Sequence, residues 1–154
     1  KLYIFGAGHT GNALAYHASK VDFDVFVIDN RKEYLDQLNI DKVNKLHAEH
    51  KEALPSLPFD KHTYVAIMTY EHQYDRDILL YCIKQPYAYL GMIGSKRKVE
   101  ITKKMFLESD LIDQKDLETV DMPMGIDINA ETPHEIAISI LSKLIAVKKE
   151  LKTK

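Results

Sequence analysis

An α/β fold, a doubly wound parallel sheet with helices on both faces, is predicted by three observations. Short apolar runs alternate with helical segments along the whole chain. The first run, Leu2 to Phe5, leads straight into Gly6-Ala7-Gly8-His9-Thr10-Gly11. An acidic residue, Asp29, closes the next apolar run, about 20 positions beyond that loop. Together these describe a Rossmann-like arrangement, with an expected strand order 3-2-1-4-5 and room for an extra edge strand.

The elements follow in order. Leu2 to Phe5 reads as the first strand. Thr10 to Val21 is helical, with Leu14, Ala15 and Ala18 on one face. Val25 to Ile28, a β-branched run after the Asp22-Phe23-Asp24 turn, is the second strand. Arg31 to Leu38 reads as a short helix, residues 42 to 48 as a weak strand, and Pro55 and Pro58 as marks of a loop. Tyr64 to Thr69 is a buried strand, and His72 to Lys84 a helix with Ile78, Leu79, Cys82 and Ile83 inward. Tyr87 to Ile93 is a further strand closed by Gly94, Ser95 to Glu108 a basic helix, and residues 109 to 121 an irregular acidic stretch with a turn. Thr132, Pro133 and Glu135 form a T-x-x-E start for the last helix. Ile136, Ala137, Ile140, Leu141, Leu144 and Ile145 give that helix one apolar stripe.

The chain of 154 residues suits one domain, 1–154, with no linker or repeat to divide it. A net charge of -2 points away from nucleic acid. A lone cysteine, Cys82, excludes an intrachain disulfide and fits a reducing, cytoplasmic setting. No apolar run reaches the roughly 18 residues of a membrane span, and no signal peptide is visible. The first strand starts without an initiator methionine, the pattern of a piece processed or excised from something longer.

Two loops carry most of the chemistry. In the first, Gly6, Gly8 and Gly11 allow a tight turn and close backbone approach. The helix that opens there offers free N–H groups and a partial positive charge to a phosphate or pyrophosphate. Thr10 belongs to that same helix start, and His9 either reaches a ligand phosphate or stands in water at the mouth. Asp29 suits a ribose 2′-hydroxyl, or else caps the next helix, while Arg31 could hold a 2′-phosphate instead. In the second loop, Gly91 and Gly94 flank a strand end, and Ser95 caps a helix whose first turn is Lys96-Arg97-Lys98. Cations there oppose the helix dipole, so a bound anion held by Ser95 with Arg97 or Lys98 would account for them, as would a solvated charge run. Arg97 is favoured for its forked donors.

Thr69 and His72 should lie beside the glycine loop, either touching ligand or starting a helix with Glu71 near its dipole. Asp127 sits in the shaped loop that precedes the last helix, where Gly125 and Asn129 both tolerate positive φ. The sequence lacks C-x-x-C, H-E-x-x-H and G-x-S-x-G motifs. Its seven histidines have no metal-ligand spacing, and no acid–base pair stands out. An NAD(P)-dependent oxidoreductase and a non-catalytic NAD-sensing module are both compatible with the fingerprint.

Three segments taken together, G-A-G-H-T-G, Y-L-G-M-I-G-S-K-R-K and M-G-I-D-I-N-A-E-T-P-H-E-I-A-I-S-I-L, carry a more specific message. They resemble the C-terminal Rossmann domain of the XdhC/CoxI family, the xanthine dehydrogenase accessory factors. The resemblance implies a chaperone that binds molybdenum cofactor, as molybdopterin or its dinucleotide form, and shields it during sulfuration. It then delivers the cofactor to a xanthine dehydrogenase-type molybdoenzyme. It implies a carrier rather than turnover, and brings in a cysteine desulfurase and a homodimer as candidate partners. Two residues depart from the family pattern: Tyr70 replaces a frequent histidine, and Asn129 a usual glycine.

Overall fold

The computed structural model describes all 154 residues. Five strands form one sheet in the order β3-β2-β1-β4-β5. They are β1 (Leu2–Phe5), β2 (Val25–Asp29), β3 (Val43–His47), β4 (Tyr64–Ile67) and β5 (Tyr89–Met92). Every neighbouring pair is parallel, with Phe5 level with Ile28 on one side and Ile67 on the other. The strand order is therefore the one expected. The additional edge element reduces to a parallel bridge between Gly91 and Asp121.

Alternation along the strands splits the core into two layers, because successive side chains point to opposite faces. Leu2, Ile4, Tyr64 and Ala66 face one layer, where they meet α1 (His9–Ala18) and α7 (Pro133–Thr153). Tyr3, Phe5, Val65 and Ile67 face the other, against α4 (His72–Cys82) and α5 (Lys96–Glu108). Both faces are covered, so the central strands are apolar throughout rather than alternating. The α7 stripe buries Ala137, Ile140, Leu141 and Leu144. Each of its larger side chains contributes on the order of 1.5–3 kcal/mol. Cys82 is completely buried, and burial pushes its thiol up to about 12, which keeps it an inert core residue.

Local chemistry sets the helix ends. Ser95 is the N-cap of α5 and accepts from the Lys98 amide. Thr132 caps α7 and accepts from the Glu135 amide, with Pro133 in the first turn. Glu135 does not return its carboxylate to the Thr132 amide as a full capping box would. It reaches the Thr132 hydroxyl and the Glu131 amide. The segment around Pro55 is not wholly loop: α3 (His50–Ala53) runs into a short 3-10 turn at Leu54–Ser56, because proline suits a first helical turn. The short helices α2 (Lys32–Asp36) and α6 (Gln114–Leu117) complete the chain.

The three fingerprint glycines do different things. Gly6 has φ +120, and a side chain there would run into the Met68 carbonyl. A Cβ on Gly11 would overlap the Gly6 carbonyl. A Cβ on Gly8 would meet nothing within 4 Å. Gly11→Ala should therefore destabilise the domain by about 1–3 kcal/mol, the cost of overpacking against fixed backbone. Gly8→Ala should stay within about 0.5 kcal/mol of the parent, as changes at open positions do. Urea unfolding of the two variants side by side checks this, and equal losses would refute the division of roles.

Candidate functional site at the carboxyl edge of the sheet

The loops that follow β1, β4 and β5 meet at the carboxyl ends of the strands. The glycine loop lies directly against the end of β4, since a Cβ on Gly6 would stand 3.1 Å from the Thr69 amide nitrogen. At the start of α1, the amides of His9, Thr10 and Gly11 find no acceptor in the chain, and Gly8 supplies no side-chain cap. Neither α1 nor α5 has an acid in its first turn, whereas α4 has Asp75 and α7 has Glu135. The α1 start is uncapped, whereas the α5 start carries the Ser95 cap and faces the start of α4 across a crevice between the β4 and β5 loops.

Asp29 and Arg31, both expected at the ligand, are engaged with each other. Asp29 Oδ2 accepts from the Ala7 amide at 2.7 Å and Arg31 Nη2 at 2.9 Å. Its Oδ1 accepts from the Arg31 amide at 2.9 Å and Nε at 3.0 Å. The carboxylate thus takes four donors from within the chain. Burial alone would push this carboxyl up, but the Arg31 guanidinium and the two amides hold it below the ordinary value. Arg31 in turn stacks between the rings of Tyr34 and Tyr70, 3.8 and 4.0 Å from their centroids. Tyr70 gives this chain an aromatic lid on Arg31 and also donates to Asn30 Oδ1. The guanidinium thus ties the ends of β2 and β4 together.

The β4 and β5 loops enclose a crevice of about 260 Å³ lined by Thr69, His72, Asp75, Gly94, Ser95 and Lys98, among others. Of the basic first turn, Lys98 lines this crevice and Arg97 does not, although both side chains are exposed. A second cavity of about 410 Å³ shares Ile93, Gly94 and Ser95 with it and extends to Asp127 and Ile128. Gly91 is not a contact residue: it is buried, and a Cβ there would strike the Tyr89 hydroxyl and Met124. Its role is to let Asp121 pack beside β5, where Asp121 Oδ2 takes the Tyr89 hydroxyl at 2.6 Å and the Gly125 amide at 2.9 Å. His9 lies in a separate cleft with Asn12, Pro133 and His134. The shaped loop before α7 has the expected geometry, with Gly125 at φ +101 and Asn129 at φ +54. No group of three or more His, Cys, Asp or Glu side chains is placed to hold a metal ion. No helix is long and apolar enough to cross a membrane.

Asp75 belongs to the site but escapes sequence reasoning. It is only 2% exposed, and its Oδ1 accepts from the Thr69 amide at 2.9 Å, with the Thr69 hydroxyl 2.7 Å away. Oδ2 lies 3.8 Å from His72 Nδ1. Burial pushes its carboxyl above the ordinary range despite the bonds from Thr69. An acid in a first helical turn ordinarily reads as a dipole partner, and nothing local announces its burial.

A five-stranded parallel sheet with a glycine-rich loop after its first strand and helices on both faces is a Rossmann-type domain. The chain matches the XdhC Rossmann domain across residues 2–144 and belongs to that family. It is 35% identical over 150 residues to the uncharacterized protein YqeB of Escherichia coli (strain K12), covering 96% of this chain and 27% of that protein. It is 29% identical over 152 residues to a probable xanthine dehydrogenase subunit of Bacillus subtilis (strain 168), covering 98% of this chain and 44% of that one. A crystal structure described as a xanthine dehydrogenase from Bacillus halodurans superposes with a TM-score of 0.82 at 28% identity. That match covers 97% of this chain and 42% of that one. The chain thus spans less than half the length of these relatives.

The two buried acids should respond oppositely to pH. Asp29 has a depressed pKa in the fold, so its stabilisation is present above the unfolded value of 3.8 and is lost as pH falls through the folded value. Asp29→Ala should cost about 2–4 kcal/mol at pH 7, near what breaking a buried pair costs. The deficit should shrink in acid. Asp75 has a raised pKa, so the stability it allows is full below 3.8 and is lost as pH rises through its folded value. Asp75→Asn should therefore melt higher than the parent at pH 7, with the gap closing below pH 3.8. Thermal melts across pH test both signs.

Proposed function

We propose that this domain is a molybdenum cofactor-binding accessory module of a xanthine dehydrogenase system, a carrier that holds the cofactor for a molybdoenzyme of that type. The single observation that carries the reading is the set of unpartnered His9, Thr10 and Gly11 amides beside open space at Gly8, in a member of this family. Support comes from the relatives named for xanthine dehydrogenase. The residues present suit the group. Molybdopterin carries a phosphate, which the α1 amides would bind, and Lys98 with Ser95 offers donors for a further anionic portion. When bound, the cofactor supplies the molybdenum centre that the acceptor enzyme uses; the chain's own residues bind, orient and shelter it. The reading favours a carrier over an NAD(P) enzyme because Asp29, the ribose reader of the fingerprint, is already paired with Ala7 and Arg31. A cysteine desulfurase as sulfur donor, a homodimer and a cytoplasmic setting fit the same proposal.

The experiment is a binding competition between molybdopterin and NADH on the purified domain, read by anaerobic equilibrium dialysis with the bound pterin quantified after oxidation to its fluorescent form. Molybdopterin should bind and NADH should fail to displace it. Gly8→Val should abolish binding without lowering the melting temperature, because the new side chain fills the space a phosphate needs. Tight NADH binding, or undiminished molybdopterin affinity in the valine variant, would overturn the reading.

The basic turn makes a separate prediction. Lys98→Ala should weaken molybdopterin about tenfold and flatten its salt dependence, the weight of roughly one charge-assisted hydrogen bond. Arg97→Ala should change neither. Titrations at low and high salt check the pair, and the opposite ranking would return Arg97 to the site.

A further inference from the structure

The crevice between the β4 and β5 loops contains an acceptor that phosphate binding leaves unused. Asp75 is almost wholly buried, yet only its Oδ1 is hydrogen-bonded, to Thr69. Oδ2 makes no hydrogen bond within the chain, and its nearest ionisable neighbour is His72 at 3.8 Å. The residue lines the 260 Å³ crevice together with Lys98. That unpaired oxygen is open at the crevice surface. Asparagine would keep both Thr69 contacts through its own Oδ1. What the carboxylate adds is therefore an acceptor aimed into the crevice, where asparagine would present a donor.

We propose that Asp75 reads the heterocycle of the ligand, its Oδ2 accepting the exocyclic N–H of a 2-amino-4-oxopteridine ring. This rests on the cofactor-binding reading above and names the ring-recognition subsite within it. The chemistry is complementary. That edge of a pterin presents N–H donors at position 2, and the crevice offers the carboxylate acceptor that they need. Ile93 and Tyr70 supply apolar and aromatic surface for the ring. The adjoining cavity of about 410 Å³ brings the combined space into the range of small-molecule sites. A hydrogen-bonding site of this kind rejects analogues that cannot donate, because its own buried group is then left unpaired.

The test uses 6-hydroxymethylpterin phosphate and its 2-oxo counterpart, the lumazine, each titrated by fluorescence into the wild-type chain and into Asp75→Asn. The wild type should prefer the pterin at least tenfold, since the lumazine sets an oxygen against the carboxylate. Asp75→Asn should lose or invert that preference, with far-UV circular dichroism and thermal melts confirming an intact fold. Equal affinities in the wild type overturn the proposal without recourse to any variant. A preference that survives in Asp75→Asn also overturns it, and leaves the accessory reading standing if molybdopterin still binds. Binding of molybdopterin but of neither pteridine overturns ring recognition by Asp75 alone. Failure of molybdopterin itself to bind the wild type overturns both readings.

Discussion

The Asp29 carboxylate stands where β2 ends and the glycine loop turns, and the geometry of the site depends on it. By accepting the Ala7 amide it ties the loop after β1 to the neighbouring strand. By taking three further bonds from Arg31 it also fixes the chain that leaves β2. Arg31 then lies flat between Tyr34 and Tyr70, so the loop after β4 is held to the same cation. One buried acid thus sets the relative position of three loops. The α1 amides can point into open space because Asp29 keeps the preceding turn from relaxing.

The two buried acids of the carboxyl edge illustrate a division that burial alone would hide. Asp29 is satisfied on every side, and its charge stabilises the fold. Asp75 is satisfied on one oxygen only, and its charge burdens the fold. Proteins tolerate such a burden where binding compensates it, which is why partly paired polar groups concentrate at functional positions.

Much of the fold is legible in the sequence because it rests on local signals. Strand order follows from alternating elements and the glycine loop, and the caps at Ser95 and Thr132 follow from residue type. The site is legible only in outline. The glycine loop, Ser95 and Lys98 lie where the pattern places them. Gly91 misleads because its neighbours are Tyr89 and Met124, the second more than thirty positions away, and only the fold brings them together. Arg31 misleads for a related reason: the Asp-x-Arg spacing is local, but the Tyr70 ring that completes the stack arrives from a different loop. Asp75 escapes notice because its burial is decided by the packing of α4 on the sheet, which no neighbouring residue reports.

The Asp121 strap has a consequence for how the sheet ends. Asp121 bridges Gly91 through backbone bonds to Leu90 and Met92, and Met124 adds another to Met92. The outer hydrogen-bonding groups of β5 are thereby consumed inside the molecule. At the opposite margin β3 remains, short and polar, with Asn44 and Lys45 exposed. Charged and polar side chains on a short margin discourage strand addition. One border is closed by the chain's own backbone and the other guarded by its side chains. An approaching molecule therefore meets this domain through helices and loops, not by prolonging its sheet.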